Sequence, residues 1–168
     1  MTAKVKITTK VEFSEKARNR LLRLSRLLRA DAKRKTGVMF DMTTFCSTGE
    51  DDEPGVNCGT RACALGLAAL SGEFKAEGLR YKVAPNDWGF ARKTIEFTYR
   101  GDNMFDDEMA IAAKVFDIPE TVAVWLFGGD ASKHEEGAKA ELEMAEIIEK
   151  AAKGDIPQDI VAELMSDG

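Results

Sequence analysis

The chain has 168 residues, of which 44% are hydrophobic and 32% charged, a composition typical of one soluble globular domain of ordinary size. No apolar run approaches the roughly 20 residues that cross a bilayer, and the opening "MTAKVKITTK" lacks the apolar stretch of a secretory signal. Three cysteines are too few for a secreted disulfide framework, so the sequence predicts a cytoplasmic protein with reduced thiols and no membrane contact.

The net charge of −5 is unevenly distributed along the chain. Residues 1–48 hold 12 Lys and Arg against 4 Asp and Glu, a net charge of +8. Residues 102–168 hold 5 Lys and Arg against 17 Asp and Glu, a net charge of −12. Either the two ends face each other within one fold, or each faces a partner of opposite sign. The first interpretation is the simpler one, because a chain of this size folds back on itself.

The N-terminal part predicts a strand followed by a basic helix. Residues 4–13 alternate loosely and include β-branched side chains, which favours a short strand. Ser14 is a suitable N-cap for a helix over about 14–35. Apolar residues at helical spacing predict one buried stripe, formed by Ala17, Leu21, Leu24, Leu28 and Ala32.

The remaining surface of this helix is basic. It is either the solvated side of an amphipathic helix or a contact surface for an acidic protein or for phosphates. A protein partner or self-association is favoured over nucleic acid, because the chain is acidic overall and lacks an aromatic RNA-binding motif. The candidate partner-binding residues on this helix are Arg18, Arg20, Arg23, Arg26 and Arg29.

The middle of the chain predicts a loop, a buried helix and a hairpin. After a loop over 47–57, the segment "NCGTRACALGLAAL" predicts a helix capped by Asn57 or Thr60 and ended by Gly72. This helix has apolar residues on every side, so we expect it to be buried. "LRYKVAP" and "KTIEFTYRG" then predict two antiparallel strands.

The acidic part, about 105–166, predicts helices over 105–118, 119–127 and 133–154 and a last one from Pro157. With the hairpin, the sequence predicts an α+β fold, a mostly helical single domain over 1–168 with a small antiparallel sheet.

The two tryptophans differ in their surroundings. Trp125 stands among apolar residues and is predicted to be core. Trp88 and Phe90 lie in the connection between the predicted strands, beside polar residues and glycine. Exposed aromatic side chains often mark interfaces, so this pair is a candidate contact patch.

Cys58 is the one candidate for chemistry, because a helix N-terminus lowers the pKa of a thiol. A nucleophilic thiol usually needs a base, and the chain has one histidine, His134. A structural metal could instead join Cys46, Cys58 and Cys63, although Cys58 and Cys63 lie farther apart than the usual zinc-site pair. The third alternative is a set of free thiols, of which Cys63 packs as a small hydrophobe.

Short motifs between residues 40 and 127 resemble those of a loose group of small bacterial and phage proteins. The residues are "FDM" (40–42), "CGTRAC" (58–63) with Gly66, "GL" (78–79) and "WLF" (125–127). The group shares a Cys-Gly-Thr-x-Ala-Cys core and has no assigned activity. The resemblance implies a shared fold and an intracellular location, and it transfers no catalytic residue. An aromatic residue or His often follows the helix glycine in the group, whereas this chain has Leu67.

The sequence thus favours a small intracellular interaction protein without enzymatic activity or cofactor, acting through charged surfaces as an inhibitor or regulator of the phage type. The alternatives are a thiol-dependent enzyme that uses Cys58 and a metal-stabilised protein.

Overall fold

A computed structural model describes residues 10–34, 39–40, 46–47, 61–84, 94–100, 107–128, 131–132 and 136–167, and the structural statements below concern these residues. Six α-helices lie in these ranges: α1 Glu15–Asp31, α2 Ala64–Ser71, α3 Glu108–Phe116, α4 Glu120–Phe127, α5 Gly137–Ala152 and α6 Gln158–Ser166.

Five strands form one small sheet in the order β1-β3-β2-β5-β4. The strands are β1 Met39–Phe40, β2 Cys46–Ser47, β3 Arg61–Ala62, β4 Leu79–Ala84 and β5 Thr94–Tyr99. The long pair, β4 and β5, is the predicted antiparallel hairpin. The predicted class, a mostly helical α+β fold with a small antiparallel sheet, is confirmed. The parallel pairing of β1 with β3 was not expected from the sequence.

The predicted capping of the basic helix is confirmed at Ser14. Its Oγ accepts a hydrogen bond from the Ala17 backbone N at 3.0 Å and donates one to Asp117 Oδ2 at 2.8 Å. Asp117 ends α3 in the left-handed conformation, with φ 57°. One side chain therefore satisfies the first turn of α1 and joins it to the α3–α4 corner.

The N-terminal strand prediction fails where it can be compared. Lys10 to Phe13 form no strand, and residues 4–9 lie outside the described ranges. The backbone N of Val11 instead donates to the carbonyl of Gly154 at 3.2 Å, just after α5. Gly154 has φ 83°, and a Cβ at this position would collide with the Val11 carbonyl.

The basic helix packs along α5, in the acidic part of the chain. Four residues of the predicted stripe, Ala17, Leu21, Leu24 and Leu28, are fully buried, and Ala32 is half-buried. Within this contact Ser25 Oγ donates to the Ala145 carbonyl at 2.8 Å. The basic and acidic parts therefore meet inside one fold, as the simpler interpretation of the charge pattern expects.

The predicted start of the buried helix is wrong. α2 begins at Ala64 with Cys63 as its N-cap, and Arg61–Ala62 are extended in β3, because they pair with β1 and β2. The predicted end is confirmed, since Gly72 closes the helix with φ 73°. The predicted burial is confirmed as well: every residue over 64–69 is buried.

Arg23 connects α1 to the turn that follows α2. Its guanidinium carbon lies 4.4 Å from the centroid of the Phe74 ring. Its Nη2 donates to the Glu73 carbonyl at 3.1 Å and pairs with the Glu77 carboxylate. Phe74 in turn packs edge-on against Phe116 of α3, with the ring centroids 5.1 Å apart. Arg23 thus has a structural role inside the fold.

We predict that Arg23→Ala lowers the free energy of unfolding by about 2–3 kcal/mol, because it leaves the half-buried Glu77 carboxylate unpaired and removes the cation–π contact. Urea denaturation monitored by circular dichroism measures the change. The matched control is Arg26→Ala, an exposed arginine three residues along the same helix, for which we expect a change within about 0.5 kcal/mol. Equal effects of the two substitutions would contradict the prediction.

Candidate functional site

A concave surface lies between α4 and α6. This α4–α6 groove has a volume of about 550 Å³, within the range of ligand sites. Its lining residues are Glu120, Thr121, Val124, Trp125, Pro157, Asp159, Ile160 and Glu163.

Helical spacing explains why α4 and α6 expose these side chains. The opposite side of α4 is buried in the core and consists of Val122, Ala123, Leu126 and Phe127. Positions 120, 121, 124 and 125 therefore share the outer side, where Val124 is 46% exposed. On α6, Val161 is buried and the acidic pair Asp159 and Glu163, one turn apart, borders the groove.

The groove combines an apolar floor with an acidic rim. Val124, Trp125 and Ile160 supply the apolar surface, and three carboxylates surround it. No Lys, Arg or His is among the described residues that line it. Glu120 and Asp159 stand in the first turns of α4 and α6, where the helix dipole stabilises an anion. Such a surface suits a cationic group attached to an apolar body.

Trp125 lies differently from the prediction. It was expected in the core with Val122, Leu126 and Phe127, which are indeed buried. Trp125 itself is half-buried, packs against the core and forms one wall of the groove. The periodicity of a short apolar helix does not separate its buried side from a side that a second helix only partly covers.

Three of the five candidate arginines on α1 have intramolecular partners. Arg20 Nη1 donates to the Val115 carbonyl at 2.7 Å, and Arg23 contacts the turn after α2 as described. Arg29 Nη2 lies 3.0 Å from Glu149 Oε2. This hydrogen bond, with that from Lys153, holds the pKa of Glu149 below its ordinary value.

The side chains of Arg18 and Arg26 remain exposed. Half-buried Leu22 stands midway between them in the sequence and packs in part against the core. The three residues are one helical turn apart and lie on one side of the helix, and we call them the basic ridge.

The other candidate residues lie mostly outside the described ranges. This applies to Cys58, His134, Trp88 and Phe90, and to the side chain of Cys46. Cys63 is described and is 1% exposed. α2 begins after Cys63, and a strand precedes that residue, so the helix start predicted at Asn57 or Thr60, beside Cys58, is wrong.

Neither a metal-binding cluster nor a membrane-spanning helix occurs among the described residues. Within these ranges no three His, Cys, Asp or Glu side chains are grouped so that they could hold a metal ion. In the same part of the chain, no helix has the length and apolarity needed to cross a membrane.

Glu141 is a buried carboxyl group between α5 and the end of α1. It is 3% exposed, and its Oε1 has no hydrogen-bond partner among the described residues. The pKa of Glu141 is raised to about 8, chiefly by burial. The negative charge of Asp31 and its hydrogen bond with Glu141 raise the pKa further, while the positive charge of Arg34 lowers it. Sequence reasoning missed this residue, although position 141 falls on the buried stripe of α5 with Met144, Ala145 and Ile148.

In comparisons with known proteins, no protein family, curated protein or solved structure matches this chain. The resemblance to the Cys-Gly-Thr-x-Ala-Cys group therefore stays a prediction.

Glu141 makes the stability of the fold depend on pH. Between its ordinary pKa of 4.5 and about 8, an unfolded chain has lost this proton while the folded chain retains it. The contribution of Glu141 to stability is therefore full below about pH 4.5 and is lost as the pH rises to about 8. We predict that Glu141→Gln stabilises the protein at pH 8.5 by roughly 1–3 kcal/mol relative to the wild type.

Urea denaturation at pH 5 and pH 8.5 measures this difference. The control is Glu146→Gln on the exposed side of α5, for which we expect the pH dependence of the wild type. A Glu141→Gln protein that retains the full wild-type loss of stability between these pH values would contradict the assignment.

Cys63 allows a separate measurement on the thiols. Because the Cys63 side chain is buried at the start of α2, we predict that alkylation in the native state is at least about 100-fold slower than in urea. Mass spectrometry of the modified peptides follows each cysteine separately. Rapid native modification of Cys63 would show that the start of α2 opens readily, contrary to the packing described above.

Proposed function

We propose that this chain is a non-enzymatic interaction protein whose α4–α6 groove binds a basic, partly apolar segment of a protein partner. The observation that carries the proposal is the arrangement of Glu120, Asp159 and Glu163 around the apolar surface of Trp125 and its neighbours.

The chemistry of the lining favours this ligand class. A Lys or Arg side chain has an apolar stem and a charged end, so it covers Val124 and Ile160 while its charge meets the carboxylates. The half-buried indole of Trp125 adds cation–π attraction for a guanidinium or ammonium group. A cavity of about 550 Å³ accommodates a few such side chains, so a segment of the partner would lie along the groove.

The long-range field acts in the same direction. The groove belongs to the part of the chain that has a net charge of −12 over residues 102–168. A surface of this sign raises the association rate of a basic partner and disfavours acidic ones, and it acts less at high ionic strength.

The same lining argues for binding rather than catalysis. Among the described residues, the groove offers one hydroxyl, that of Thr121, and neither a histidine nor a thiol beside it. The pairing of a hydroxyl or thiol with a histidine, a common arrangement in nucleophilic catalysis, is therefore absent from the described lining.

We predict that a synthetic amphipathic peptide of Leu and Arg binds the groove and changes the fluorescence of Trp125. The chain has two tryptophans, so the experiment uses a Trp88→Phe background in which Trp125 is the only one. Neutralising the rim by Glu120→Gln, Asp159→Asn and Glu163→Gln should weaken binding at least tenfold, at about 0.5 kcal/mol or more for each charge.

The control removes the same number of negative charges elsewhere, with Glu12→Gln, Glu96→Gln and Asp167→Asn at exposed positions. We expect this control to bind nearly as well as the parent. Peptide binding that weakens equally in both triple variants would reflect net charge alone and would refute a specific role of the groove.

A further inference from the structure

We infer that the partner segment is the basic ridge of a second copy of this chain, so that the protein associates head to tail. The inference rests on the proposed function of the α4–α6 groove and names its occupant. Both surfaces of the proposed contact are on this chain: the ridge is basic, and the groove is acidic.

The ridge and the groove are opposite in charge, and each also has apolar surface. Arg18 and Arg26 are eight residues apart, which places them about 12 Å apart along the helix axis, with Leu22 between them. The ridge thus presents an apolar centre flanked by two guanidinium groups. The groove presents an apolar floor flanked by carboxylates, so docking pairs opposite charges while it buries Leu22 and Val124.

In the described part of one chain, the ridge and the groove lie on different helices and do not pair with each other. α1 packs against α5, α2 and α3, whereas the groove is formed by α4 and α6. The side chains of Arg18 and Arg26 have no hydrogen bond or ion pair with another described residue, while those of Arg20, Arg23 and Arg29 have such partners. Arg18 and Arg26 are therefore the two candidate arginines whose side chains are left available.

A contact between ridge and groove joins two different surfaces, so it is heterologous. Each added copy leaves one ridge and one groove unoccupied, unless the assembly closes into a ring. The average mass in solution should therefore rise with protein concentration and fall with added salt, because the contact depends on partly exposed charge pairs.

The test uses charge reversal on each surface and sedimentation velocity at low ionic strength. The ridge variant has Arg18→Glu and Arg26→Glu, and the groove variant has Asp159→Lys and Glu163→Lys. Each variant alone places like charges opposite each other, so we expect its self-association to weaken by at least about 100-fold. A mixture of the two variants restores opposite charges at every contact, and we expect it to associate again.

A matched control, Lys75→Glu with Lys139→Glu, reverses two exposed basic residues elsewhere and should associate like the wild type. Circular dichroism and the urea midpoint verify that every variant is folded. The inference is overturned if the wild type stays monomeric at millimolar concentration and low salt, or if the ridge variant associates unchanged. Retained peptide binding in the groove would then leave the proposed function standing with a different partner, whereas its loss as well would refute both.

Discussion

The packing of α1 against α5 is the contact on which the rest of this structure depends. It joins an early helix to a late one, and it encloses the fully buried stripe that runs from Ala17 to Leu28. Burial of each leucine side chain contributes about 1.5–3 kcal/mol, so this stripe is a large share of the stability of a domain this size. The same contact fixes the rotation of α1 about its axis and therefore decides which arginines face solvent.

That rotation gives the basic residues of α1 two different roles. Arginines beside the buried stripe reach back to the fold: Arg20 to a carbonyl at the end of α3, and Arg23 to the turn after α2. Arg29 pairs with Glu149 of α5, whereas the side chains of Arg18 and Arg26 have no such partner in the described part of the chain. Some of the basic residues of α1 are thus paired within the fold, and others are not. The total charge of residues 1–48 therefore does not by itself predict the function of this part of the chain.

Local signals in the sequence predicted those elements that local physics determines. Ser14 as a cap, the leucine stripe, the β4–β5 hairpin and the stop at Gly72 all depend on neighbours within a few residues. The start of α2 does not depend on such near neighbours, because Arg61–Ala62 are held in extended conformation by β1 and β2, which are distant in the sequence. Helical propensity there is overridden by a pairing that no local pattern reports.

The candidate site was missed for the same reason. The groove exists because α6 contacts α4 while leaving Trp125 half covered, and this arrangement is tertiary. Before folding, the stretch around Trp125 has only the composition of a core helix, and Asp159 and Glu163 look like ordinary acidic residues of a surface helix. Periodicity identifies the side of a helix that is buried, but it does not show where two exposed sides meet.

The acidic part of the chain illustrates how position rather than number determines the behaviour of a carboxylate. Glu141 is enclosed by α1 and beside Asp31, so its proton is retained to about pH 8. Glu120 and Asp159 are exposed and stand in first turns of helices at an open groove. Glu141 therefore acts within the fold, whereas the groove carboxylates are accessible to a ligand. Of the 17 acidic residues over 102–168, those around Trp125 combine charge with apolar surface, and this combination gives a binding site its specificity.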